Sequence, residues 1–100
     1  MANKEDDQVD KTVDFIFKLV SPYIESKETS EVFLNQCDQS NVKTARPLSD
    51  GFVAFIRENN LVGDKKKVMV MATKYLKGFG TEIGMACLVL SWMELYMKDT

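Results

Sequence analysis

Residues 78–100 read GFGTEIGMACLVLSWMELYMKDT, and almost every position from Ile83 to Met97 is apolar or small. Three arrangements explain such a run: a membrane anchor, the central helix of a small core, or a surface that a partner covers. The uncharged part, Ile83 to Met93, is only eleven residues long, and crossing hydrocarbon takes about twenty. Glu94 follows inside the same helix, and the basic flank is Lys98. Length therefore argues against a membrane span. A helix that is apolar all round must be surrounded, which leaves core or interface. Gly80, Gly84, Cys87 and Ser91 fall at i, i+4, i+7 and i+11, a line of small side chains along which another helix can approach closely. Thr81 is expected to cap this helix, with Glu82 in its first turn.

Working back along the chain, Asp64 is placed to cap an earlier helix. Val68, Met71, Ala72, Tyr75, Leu76 and Phe79 follow at i, i+3, i+4, i+7, i+8 and i+11, the clearest amphipathic pattern in the protein. Gly78 and Gly80 close it. Before that, Leu48, Ser49 and Val53 have the spacing of a hydrophobic staple around a cap. That spacing predicts a helix from Ser49 to about Asn59 or Asn60, with Phe52, Phe55 and Ile56 facing the core. Leu61 and Val62 then plug the end, and Gly63 allows the turn. The segment Asp38–Pro47, DQSNVKTARP, has no periodicity and is expected to be a loop. A short helix is expected over Ser30–Cys37, with Thr29 or Ser30 as cap. The first helix is expected over about Asp6–Val20 on a stripe of Val9, Val13, Ile16, Phe17 and Val20, widened by Phe15 and Leu19. Ser21-Pro22 interrupts it, with Tyr23 and Ile24 turned inward. No stretch shows sustained strand alternation. The expected fold is all-α: one domain over 1–100, residues 1–5 frayed, a compact bundle of four to five helices. The hydrophobic C-terminal helix lies at its centre or at a dimer interface.

Composition narrows the function. The chain has 100 residues, a net charge of −2, 45% apolar and 28% charged residues, which is ordinary for a globular domain. It has no histidine, so Ser-His-Asp and Cys-His catalysis and the common zinc and iron sites lack their key ligand. Cys37 and Cys87 are far apart and form no metal pattern. Paired carboxylates and a glycine-rich phosphate loop are also missing from the pattern. The chain is expected not to be an enzyme and to need no metal or cofactor. The acidic, polar start MANKEDDQVDK is the opposite of a signal peptide. It suggests a cytoplasmic protein with reduced thiols.

FIRENNLVGDKKK, residues 55–67, resembles a helix end found in SWIB-type chromatin domains. The resemblance covers about a dozen residues, the rest of the chain follows another pattern, and no assignment is based on it.

Two surfaces stand out. Apart from Met1, every methionine lies in the last third of the chain, and thioethers suit adaptable binding surfaces. Met69, Val70, Trp92, Met93, Tyr96 and Met97 are therefore the expected partner-binding residues. Lys65, Lys66, Lys67, Lys74 and Lys77 form a basic patch with no acid among them. With only two arginines in the chain, Arg46 and Arg57, and no aromatic interleaving, this patch is a weak nucleic-acid signal. The leading expectation is a protein–protein interaction module, adaptor, inhibitor or regulatory subunit, acting as a homodimer or on another protein. One alternative is a carrier of an apolar small molecule, with Phe15, Phe17, Phe52, Phe55, Tyr75 and Trp92 lining a cavity. Another is nucleic-acid or anionic-surface binding through the lysines.

Overall fold

The computed structural model describes the backbone of residues 4–97 and the side chains of residues 11–97. Five helices follow one another: α1 (Lys4–Val20), α2 (Lys27–Gln36), α3 (Gln39–Glu58), α4 (Lys65–Tyr75) and α5 (Thr81–Tyr96). No strand occurs among the described residues. The protein is an all-α bundle. Of the residues expected to fray, 1–3 lie outside the described residues, and Lys4 and Glu5 belong to α1.

α5 is the centre. Its largest contact is with α3, and it also packs on α2 and α1, while α4 closes the bundle against α1 and α3. From Ile83 to Met97 no residue of this helix is exposed; Ala86, Cys87, Leu88, Val89, Ser91 and Trp92 are buried. The all-round apolar run is thus satisfied within one chain. All five helices feed a single cluster that includes Val13 and Val20 of α1, Leu34 of α2, Phe52 and Ile56 of α3, and Val68, Met69 and Ala72 of α4.

The expected loop over residues 38–47 is instead the first half of α3. Asp38 supplies the start signal. Its Oδ1 accepts from the Ser40 N–H at 2.9 Å and from the Ser40 hydroxyl at 2.8 Å, which also holds the Asp38 carboxyl below its usual pKa. From there Val42, Ala45, Ser49, Phe52, Val53 and Ile56 are buried, at i, i+3, i+7, i+10, i+11 and i+14, one face of one helix. Pro47 sits inside it, exposed, where its missing N–H leaves the Lys43 carbonyl to solvent. Ser49 is therefore no cap. It is a core residue, and its hydroxyl meets that of Ser91 at 2.8 Å.

Other ends also differ. α2 starts earlier than expected because Ser26 and Thr29 form a reciprocal capping box. Ser30 lies inside the helix and donates to the Tyr23 carbonyl at 2.6 Å. After Val20 the chain tightens into a 3-10 turn, Ser21–Tyr23, with Pro22 at its start, and Tyr23 stacks on Phe33 with centroids 4.4 Å apart. At the end of α3 the left-handed residue is Asn60, at φ 56°, rather than Gly63. Asp64 caps α4 as expected, accepting from the Lys67 N–H at 3.0 Å. Gly78 takes φ +97° in the connection to α5, a conformation that only glycine adopts cheaply. Gly80, not Thr81, is the N-cap of α5, and it offers no side-chain acceptor.

Candidate functional site

Two of the residues expected to bind a partner, Met69 and Trp92, belong to the core, and the other four keep part of their surface in solvent. Met69 is 1% exposed and Trp92 is also buried; Val70, Met93, Tyr96 and Met97 are half-buried. Tyr96 donates its hydroxyl to the Val62 carbonyl at 2.7 Å and so ties the α3–α4 connection to the end of α5. Its ring packs on Trp92 and lies 4.8 Å beneath the Lys65 ammonium. Burial raises the Tyr96 pKa, with a smaller contribution from Asp64. Ser30 reaches the Met97 sulfur at 3.8 Å. These side chains close the bundle.

The lysines all stay exposed. Lys65, Lys66 and Lys67 occupy the first turn of α4, Lys74 its last turn, and Lys77 the turn that follows. Lys65 is engaged with Tyr96. Lys74 and Lys77 border something else.

That feature is an open groove of about 730 Å³ where α1 crosses the end of α4 and the start of α5. Thr12, Phe15, Ile16 and Leu19 form one wall, spaced at i, i+3, i+4 and i+7 of α1. Leu76 and Phe79, with Met85 and Leu88 of α5, form the other wall and floor. The floor is low because glycines make it. A Cβ added at Gly78, Gly80 or Gly84 would meet nothing within 4 Å. The expected stripe of small residues therefore divides. Ser91 faces α3 through Ser49, whereas Gly80 and Gly84 open onto the groove. The rim keeps large apolar side chains in water: Phe15 is 61% exposed, Phe79 45% and Leu19 38%. Lys74 and Lys77 complete the lining, and among the described residues no Asp or Glu belongs to it.

Sequence reasoning missed this site. Phe15 and Leu19 were read as a widening of the core face of α1, and Phe79 as the last member of the α4 stripe. The signal was the excess itself: Val13, Ile16 and Val20 already complete the inward face, and Phe15 and Leu19 add an apolar edge beyond it. Of the six aromatics proposed for a ligand cavity, only Phe15 lines the groove. Phe52 and Trp92 are core, and Phe17, Phe55 and Tyr75 are exposed elsewhere. A shallower depression of about 290 Å³ lies over Pro22, Tyr23, Val32 and Phe33.

Reactive groups are muted. Burial pushes the Cys87 thiol up to about 11, against a smaller opposing influence of the Ser91 side chain. Burial, then Glu82, raises Cys37. Both thiols are free. Among the described residues no helix is long and apolar enough to cross a membrane, and no group of three or more Cys, Asp or Glu is placed to hold a metal ion. No protein-family model matches the chain, and no curated protein or solved structure matches it.

Proposed function

We propose that this chain is a protein–protein interaction module, an adaptor or regulatory subunit, and that it receives its partner in the α1–α4–α5 groove. One observation supports this most directly: three large apolar side chains, Phe15, Leu19 and Phe79, stand exposed around a single open groove. Apolar surface gathered in this way marks contact sites on small domains. The open form favours a macromolecule over the small-molecule carrier, because a carrier encloses most of its ligand. The exposed lysines would steer an acidic partner during encounter. A cytoplasmic setting belongs to the same reading and is supported by the two free thiols.

The test is a photo-crosslinking amino acid placed at Phe15 and, as control, at Phe55, which is also exposed but lies outside the groove. In cells, the reading expects a protein adduct from position 15 and none from position 55. A small-molecule adduct at position 15 would favour the carrier. An adduct of twice the 11.4 kDa chain mass would mean that the partner is a second copy.

A further inference from the structure

The charge around the groove defines its occupant, given the reading of the groove as a protein-docking site. Lys74 and Lys77 line it. Lys11 and Lys18, both exposed, flank the Phe15 edge of α1 by helical spacing, with the exposed Asp14 one turn from each of them. Gly80 and Thr81, where α5 begins, also line the groove, with no side-chain acceptor from Gly80, and a helix start carries partial positive charge. The described lining is therefore apolar with positive edges, in a chain whose net charge is −2.

A second copy fits this poorly. It would bring the same two lining lysines, Lys74 and Lys77, from each copy into one interface, and like charges across an interface oppose docking. A single acyl chain fits the sign but brings one carboxylate, where the lining carries two lysines, Lys74 and Lys77. An amphipathic helix carries several carboxylates beside its apolar anchors. The α1 wall spans Thr12 to Leu19, about two helical turns, which suits apolar anchors at i, i+3 or i+4, and i+7 of a partner helix.

We infer that the groove takes an amphipathic helix from another protein, with apolar anchors on one face and carboxylates beside them that pair with Lys74 and Lys77. The probe is a set of three fluorescein-labelled helical peptides with the same leucine anchors and with Glu, Gln or Lys at the polar positions. Anisotropy is read against the full chain. The Glu peptide is expected to bind about tenfold more tightly than the Gln peptide at low salt, and the gap should narrow as added salt screens the charges. K74Q/K77Q should bring the two peptides together, and Phe15→Asp should abolish binding of both. Equal affinity for all three peptides, lost with Phe15→Asp, would leave the groove reading standing and overturn the acidic partner. Binding unchanged by Phe15→Asp would overturn both, as would three silent peptides beside saturable binding of oleate.

Discussion

Ser91 holds two partners where Ser49 holds one. The Ser91 hydroxyl donates to the Cys87 carbonyl at 2.7 Å, so its single proton is used. The 2.8 Å contact between the two hydroxyls must then run from Ser49 to Ser91. This direction makes the two truncations unequal. Ser49→Ala leaves Ser91 bonded and should cost about 0.5–1.5 kcal/mol, whereas Ser91→Ala strands a buried donor and should cost about 1–3 kcal/mol. Urea denaturation of both variants checks the order. Cys87 lies one turn before Ser91, and its pKa is raised from 9.0 to about 11. The folded state keeps its proton where the unfolded chain has lost it. Stability from this group is full below pH 9 and falls as pH rises toward 11. Cys87→Ala should flatten the decline of stability in that window relative to wild type, read by thermal melts across the alkaline range.

Among the elements, α4 and α5 were largely legible, because an unbroken apolar stripe and the Asp64 cap act locally. α3 was not. Its first half buries only Val42 and Ala45 between polar residues, and Pro47 resembles a terminator. What overrides these local signals is packing: α3 lies along α5, and that contact needs both halves of the helix in line. The groove was illegible for a related reason. Periodicity tells which side of α1 is apolar, but not where α4 stops covering it. The interior proline leads to a prediction. Pro47 is exposed, so its replacement displaces no core. Pro47→Ala restores an N–H for the Lys43 carbonyl and should stabilise the protein by about 1–3 kcal/mol, measured as a shift of the denaturation midpoint. A loss of stability would mean that the proline sets a bend on which the α3–α5 contact depends.

At the level of the whole molecule, the core and the proposed contact surface use the same helix. Val20 is 0% exposed and Phe15 is 61% exposed on α1. Phe15→Asp should therefore change folding stability by no more than about 0.5 kcal/mol, while Val20→Asp buries an unpaired carboxylate and should cost more than about 3 kcal/mol. If calorimetry shows both variants to be equally damaged, Phe15 is part of the fold and not of a docking surface. The order of the elements has a further consequence. The helix around which the others pack follows all of them in the chain, so it is also made after them. While its sixteen residues are being added, at about 5–20 residues per second, the four earlier segments wait for roughly one to three seconds without the surface they bury against. Over that interval the nascent chain is a client for holdase chaperones, and slow codons within α5 would lengthen the exposure whereas slow codons within α1 would not.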